Sequence, residues 1–160
     1  MLKIIIYTDG SCNRISKLGG LAYRLEFRND KELISLKEFS KGYCKTTIDR
    51  MELKSMIFAL QEIKLKSAYP IQLICDRQNL INSINKYWVL RWEELNWIDR
   101  LNSDLWKQFL IEWRKFPNTR IQFIHTRGHG KGDKQWIEGN NRVDELCNYK
   151  NFTSYEKDEY

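Results

Sequence analysis

The chain has 160 residues, of which 42% are hydrophobic and 13% aromatic, and its formal net charge is +6. This length and composition are typical of one folded domain with a buried core, and they exclude an intrinsically disordered chain. The longest apolar run, around Ile4 to Ile6, is far shorter than the roughly 20 residues that a membrane-spanning helix needs.

The first part of the chain has the pattern of three antiparallel strands. Leu2 to Thr8 is a nearly continuous β-branched and aromatic run that stops at Asp9-Gly10, which predicts a strand buried on both faces. Residues 21–27 alternate apolar side chains with small or charged ones, and Asn29-Asp30 supplies a turn before a third strand over residues 33–43.

The second part of the chain alternates helices with strands. Apolar residues recur at helical spacing over residues 50–66, and Asp49 is the predicted N-cap of this helix. A meander of strands followed by such alternation predicts an α/β fold, with a mixed sheet covered by helices on its faces. The further predictions are a strand at 71–75, a helix at 78–87, an irregular segment at 88–101, a helix at 103–116, a strand at 120–126, a glycine-rich loop at 128–139 and a helix at 140–150.

We expect one domain over residues 1–150 and a frayed, polar C-terminal tail over residues 151–160. The four cysteines are far apart and form no Cys-x-x-Cys pair, which argues against a zinc site and against a disulfide scaffold. Reduced thiols and the absence of a leader pattern in the first residues predict a cytoplasmic protein with no membrane attachment. The basic charge balance is a weak indication of a polyanionic partner.

Four acidic residues fall at the edges of predicted elements. Asp9 and Asp76 each end a buried strand, Glu52 lies in the first turn of the long helix, and Asp144 lies early in the last helix. Burying such carboxylates is unfavourable without a counter-charge, and no lysine or arginine accompanies all four. Oxygen ligands suit Mg²⁺ or Mn²⁺ better than zinc. Taken singly, each acid could equally be a turn or capping residue.

Short blocks around these acids resemble the signature of the type 1 ribonuclease H family. They are YTDGSC at 7–12, RMEL at 50–53, CDRQ at 75–78, GH at 128–129 and NNRVDEL at 140–146, and together the match spans about residues 1–150. The resemblance implies a ribonuclease H-like fold with a five-stranded mixed sheet, three antiparallel strands first. It also implies a monomeric endonuclease that hydrolyses the RNA strand of an RNA/DNA hybrid and leaves 5′-phosphate and 3′-hydroxyl ends.

The resemblance also assigns roles to single residues. Asp9, Glu52, Asp76 and Asp144 match the four catalytic carboxylates that bind two Mg²⁺ ions, with Mn²⁺ as a substitute, and two-metal chemistry needs no protein nucleophile. His129 matches a loop histidine that assists proton transfer or product release, whereas His125 is expected to be structural. Cys75 is expected to pack in the core. The implied substrate-binding residues are Gly10, Ser11, Cys12 and Gln78 for the RNA minor groove, Thr47 and Arg50 for a DNA phosphate, and Trp88 and Trp92 for the DNA sugars or, alternatively, for packing.

The chain departs from the family pattern in its substrate contacts. Residues 13–18 replace an Asn-Pro-Gly turn, Ile48-Asp49 replaces paired asparagines, and the segment after Trp92 is short and not basic. Lys131, Lys134 and Trp136 could form a replacement clamp or a plain solvated loop. Two alternatives to a free-standing enzyme therefore stay open: a non-catalytic module that binds RNA/DNA hybrids, and a ribonuclease H segment of a reverse transcriptase.

Overall fold

The computed structural model describes residues 1–64, 66, 69–117, 120–127 and 133–160. The chain opens with three long antiparallel strands, β1 (Leu2–Cys12), β2 (Gly19–Asn29) and β3 (Glu32–Cys44). These strands are the predicted meander. A register irregularity between Phe27 and Arg28 interrupts the otherwise continuous pairing of β2 with β3.

Helices and parallel strands follow. β4 pairs in parallel with both β1 and β5, and the described sheet has the order β5-β4-β1-β2-β3-β6. The predicted mixed α/β fold is confirmed, with one strand more than expected. In chain order the remaining elements are α1 (Ile48–Glu62), β4 (Ile71–Cys75), α2 (Gln78–Asn85), α3 (Trp88–Glu94), α4 (Ser103–Trp113), β5 (Ile121–His125), α5 (Lys134–Cys147), a short 3₁₀ turn (Tyr149–Asn151) and β6 (Glu156–Lys157).

Helices cover both faces of the sheet, and β1 is buried between them. Ile6 points into the larger core, which α1 and α4 complete, whereas Ile5 and Tyr7 point to the opposite face, against α5. The helix α5 packs very closely there, since a Cβ atom on Gly139 would lie 2.2 Å from the Tyr7 ring. Only glycine allows this approach, and the approach brings the rest of α5 to the end of β1.

Three predicted boundaries are wrong. Helix α1 begins at Ile48 because Thr47 is its N-cap, accepting a hydrogen bond from Arg50 N at 3.3 Å, so Asp49 lies inside the first turn. Residues 88–94 form α3 instead of an irregular segment. Helix α5 begins at Lys134, six residues earlier than predicted, because Asp133 caps it by accepting from Gln135 N at 2.9 Å. Residues 128–132 of the predicted loop lie outside the described residues.

The C-terminal residues are packed against the domain and are not frayed as predicted. β6 pairs with Tyr43 and Cys44 at the end of β3, and Asp158 is only 3% exposed. Its carboxylate accepts hydrogen bonds from Thr46 Oγ1 and from Arg50 Nε, both at 2.7 Å. No described helix has the length and apolar character needed to cross a membrane.

Candidate active site: a cluster of buried carboxylates

The sheet topology brings the first two acids together. β1 and β4 are parallel neighbours with Tyr7 opposite Ile74, so the same register places Asp9 beside Asp76. Helix α1 packs against the end of β1 and supplies Glu52. Its backbone passes so close to β1 that a Cβ on Gly10 would lie 2.5 Å from Glu52 N, so the glycine of the Asp-Gly pair is required for this approach.

The four predicted carboxylates fall into two adjoining groups. Carboxylate oxygens of Asp9 and Asp144 lie within 4.8 Å of each other, and those of Glu52 and Asp76 do likewise. Asp9 and Glu52 connect the groups, since the Asp9 carboxyl is close enough to raise the pKa of Glu52. These two are the buried floor of the cluster at 3% and 2% exposure, whereas Asp76 is half-buried and Asp144 is exposed at its rim.

Burial and mutual repulsion make these acids hard to ionise. Burial, followed by the charge of Asp76, raises the pKa of Asp9 to about 7. Burial and the neighbouring Asp9 raise the pKa of Glu52 well above its ordinary value, and burial and Asp144 raise the pKa of Asp76. The nearby Arg77 opposes these shifts only in part. The described residues thus leave a negative cluster without a matching counter-charge.

The cluster has the properties expected of a divalent cation site. Glu52 Oε2 is buried and has no hydrogen-bond partner among the described residues. Buried polar atoms nearly always have a partner, so this oxygen indicates a ligand. Several carboxylate oxygens converging on one place fit a hard cation such as Mg²⁺ or Mn²⁺. The residues therefore fit the metal that the sequence analysis expects.

The residues after Asp9 are engaged within the protein. Gly10 N donates to Asp9 Oδ1 at 2.8 Å, and Ser11 Oγ donates to Cys147 O at 2.6 Å while accepting from Tyr149 N at 2.9 Å. The Gly10 amide is therefore already engaged, and its RNA contact stays a prediction, while the Ser11 hydroxyl holds the end of α5. Cys12, by contrast, lines an open pocket.

That pocket is basic, and sequence reasoning did not anticipate most of its cations. Its volume is about 350 Å³, and Arg14, Lys17 and Arg77 line it beside Cys12 and Thr47. No ion pair within the described ranges involves Arg14 or Lys17, and Arg77 pairs with Asp49. The sequence motifs could have indicated these cations. Arg77 directly follows Asp76, and Arg14 and Lys17 lie in the segment that replaces the family's Asn-Pro-Gly turn.

Arg50 does not contribute to this pocket. Its side chain is fully buried, and its guanidinium donates to Asp104 at 2.9 and 2.8 Å and to Asp158 at 2.7 and 3.2 Å. These contacts do not favour the predicted contact of Arg50 with a DNA phosphate, because two carboxylates already accept hydrogen bonds from its guanidinium; that contact stays a prediction. Thr47 remains beside the pocket, with its hydroxyl oxygen accepting the capping hydrogen bond.

The other predicted substrate residues divide into exposed and packed ones. Gln78 is exposed and Trp88 is 43% exposed, so both can be reached from solvent. Trp92 packs edge-on against Trp106 at 5.5 Å and lies under Arg100, which favours the packing interpretation. His125 Nε2 lies 3.2 Å from Asp76 O, consistent with a structural role. His129 and Lys131 lie outside the described residues.

The comparisons with known proteins all find the same family. A family model described as RNase H matches residues 2–151. A ribonuclease H of Syntrophus aciditrophicus is 35% identical over 91% of this chain and 76% of its own length, and one of Chlorobium phaeobacteroides is 37% identical over 91% and 92%. The crystal structure of LC9-RNase H1, a type 1 RNase H with the type 2 active-site motif, is similar with a TM-score of 0.74 at 18% identity, covering 92% of this chain and 71% of that one.

Proposed function

Because the chain belongs to the ribonuclease H family and is a ribonuclease H enzyme, we propose that it hydrolyses the RNA strand of RNA/DNA hybrids by a two-metal mechanism. The products are 5′-phosphate and 3′-hydroxyl ends. The observation that carries the proposal is the buried, unpartnered Glu52 Oε2 within a group of four carboxylates. All four acids come from one chain, which supports a monomer. The four free cysteines support a reducing compartment such as the cytoplasm.

The four acids have different tasks in this mechanism. Asp9 and Glu52 are fixed on the floor by strand β1 and helix α1, so they would hold the ions at constant positions, while Asp76 and Asp144 would complete the site at the rim. The chemistry that two Mg²⁺ ions, or Mn²⁺ in their place, would supply there is activation of the attacking water and neutralisation of charge on the phosphate and the leaving oxygen. His129 remains a proposal from the sequence, as the group that assists proton transfer or product release.

The basic pocket beside the acids supplies a phosphate contact in place of the buried Arg50. Arg14, Lys17 and Arg77 line it, and none of its lining residues in the described part of the chain is a carboxylate. A hybrid backbone carries one phosphate per nucleotide, so a phosphate held here would place the adjoining backbone across the carboxylate cluster. The exposed Gln78 and Trp88 lie on the neighbouring helices α2 and α3, where they can contact the minor groove and a sugar face.

The proposal is tested with one labelled strand at a time in RNA/DNA hybrid, duplex RNA and duplex DNA, with and without Mg²⁺. We expect metal-dependent cutting of the RNA in the hybrid alone, with 5′-phosphate ends. Asp76→Asn should abolish cutting while circular dichroism stays unchanged, and Asp99→Asn, an exposed aspartate far along the chain from the cluster, is the matched control. Hybrid binding without cutting by the unmodified protein would favour a non-catalytic module instead.

A further inference from the structure

Two thiols lie among the carboxylates, and the proposed reaction uses neither. Cys75 is the last residue of β4 and Cys147 the last of α5, and their side chains are 0% and 1% exposed. Both are free thiols. They come from opposite faces of the sheet and border different acids of the cluster, so their placement is a property of the fold and not of the local sequence.

Each thiol lies with a different pair of acids. Cys75 Sγ is within 4.8 Å of a carboxylate oxygen of Glu52 and one of Asp76, and Cys147 Sγ is equally close to Asp9 and Asp144. Cys75 Sγ also accepts a hydrogen bond from Arg77 N at 3.3 Å, which fixes the sulfur at the turn that carries Asp76. One sulfur and two oxygens in each group make a mixed donor set.

We propose that each of these two groups also binds a thiophilic divalent cation, of the class of Zn²⁺ and Cd²⁺, with Cys75 as the sulfur ligand in one group and Cys147 in the other. Soft thiolates favour such ions, whereas Mg²⁺ uses oxygen ligands only. On binding, each ligating thiol releases its proton to solvent and forms a metal–sulfur bond. In the Cys75 group, Glu52 Oε2 has no hydrogen-bond partner among the described residues and lies on a side chain only 2% exposed, which indicates a ligand apart from any property of the thiol.

The consequence is inhibition by competition. This inference rests on the proposed function, because a thiophilic ion in either group would occupy two of the carboxylates that would hold Mg²⁺ for catalysis. A thiolate bond retains the ion, so low concentrations of it should block cleavage even when Mg²⁺ is in excess. The chain would then be a ribonuclease H whose activity falls in the presence of such ions.

The direct test is titration of the metal-free protein with Cd²⁺, followed by the ultraviolet charge-transfer absorption of cadmium–thiolate bonds. We expect a saturating band in the unmodified protein and its loss in Cys75→Ala/Cys147→Ala. Cys44→Ala, which removes a half-buried thiol from β3, is the matched control and should keep the band. Losing a residue that only hydrogen-bonds to a metal ligand lowers metal affinity about 10–100-fold. Losing the sulfur ligands themselves should have at least that effect, so inhibition of cleavage should need at least about tenfold more Cd²⁺ in the double variant.

Cadmium NMR of the unmodified protein gives a second readout that does not depend on how the variant folds. A resonance in the range of mixed sulfur and oxygen ligation supports the proposal, whereas ligation by oxygen alone overturns it. A band that survives in the double variant also overturns it. Cleavage with Mg²⁺ is measured in parallel: normal cleavage without a cadmium–sulfur signal contradicts this inference alone, and a signal without cleavage contradicts the proposed function alone.

Discussion

Two buried charges lie two residues apart on α1 and have opposite surroundings. Arg50 is 0% exposed and is neutralised by Asp158 and Asp104, with the ring of Tyr160 stacked 4.0 Å from its guanidinium carbon. Glu52 is 2% exposed, faces other acids, and keeps one oxygen without a partner. The first charge is satisfied inside the protein, and the second is not.

The difference separates a structural charge from a functional one. A paired, fully hydrogen-bonded ion contributes to the fold, and removing its partner leaves an uncompensated buried charge. A buried acid among other acids lowers the stability of the fold until something positive binds, so its presence is explained by a ligand. Both residues belong to the same RMEL block, so the sequence block alone does not distinguish them.

The largest expected effect is on catalysis at Glu52. Glu52→Gln removes a metal-binding oxygen anion, and the rate of hybrid cleavage at saturating Mg²⁺ should fall by on the order of 10³-fold or more. Without metal, the variant should be more stable than the unmodified protein, because the neutral amide replaces a buried carboxyl group whose charge is unfavourable beside Asp9 and Asp76. Single-turnover cleavage and urea unfolding measure the two effects. A variant that loses activity and stability together would contradict the functional interpretation.

The next effect is on stability at Arg50. Arg50→Met leaves the buried Asp158 with Lys54, 2.7 Å away, in place of two cations, and should lower the free energy of unfolding by about 3–5 kcal/mol. Adding Asp158→Asn should recover part of that loss, since the buried carboxylate that has lost one of its two cations is then removed. Arg114→Met, which breaks the exposed pair with Glu93, is the control and should change stability by at most about 1 kcal/mol. Equal effects of the buried and exposed changes would refute the comparison.

A third effect concerns pH. The pKa of Asp9 is raised from 3.8 to about 7, so between these values the folded state binds more protons than the unfolded state, and stability falls as pH rises. The acids with lowered pKa, such as Asp158, are already ionised above pH 5 in both states. The metal-free protein should therefore lose about 2–3 kcal/mol of stability between pH 5 and 8. Thermal melts of metal-free protein test this, and a flat or rising profile would argue against it.

The smallest effect concerns the basic pocket. Arg14→Ala and Lys17→Ala should each weaken hybrid binding and reduce the slope of log affinity against log salt by about one unit or less, without changing the rate of bound substrate. Lys107→Ala, an exposed lysine on α4, should leave the slope unchanged. Binding by catalytically inactive Asp76→Asn protein, measured across salt concentrations, separates affinity from chemistry. An unchanged slope in both pocket variants would show that the hybrid does not contact the pocket.

Local patterns predicted the elements well where one periodicity dominated. β1 is a continuous apolar run and α1 has apolar residues at helical spacing, and both lie where expected apart from the cap at Thr47. Helix α5 was predicted too short because Gly139 indicated a loop, whereas the glycine is there for contact with Tyr7. Residues 88–94 were predicted to be irregular because of their aromatic composition, although they form α3.

The sequence could predict which acids would meet but not the surroundings of each. Motif spacing and the predicted strand ends placed Asp9, Glu52 and Asp76 at one edge of the sheet. The burial of Arg50 depends on Asp104 and Asp158, which lie 54 and 108 residues away along the chain, and no local pattern reports such partners. The thiol of Cys147 likewise reaches the cluster only because α5 packs across β1.

If the acids that destabilise the metal-free fold are the ones that bind the catalytic cations, Mg²⁺ should stabilise the protein through Glu52. The measurement is the free energy of unfolding of the unmodified protein and of Glu52→Gln across a Mg²⁺ titration. We expect Glu52→Gln to start more stable and the unmodified protein to gain stability with Mg²⁺ until the difference closes or reverses. Two parallel curves, with Glu52→Gln gaining as much as the unmodified protein, would contradict it.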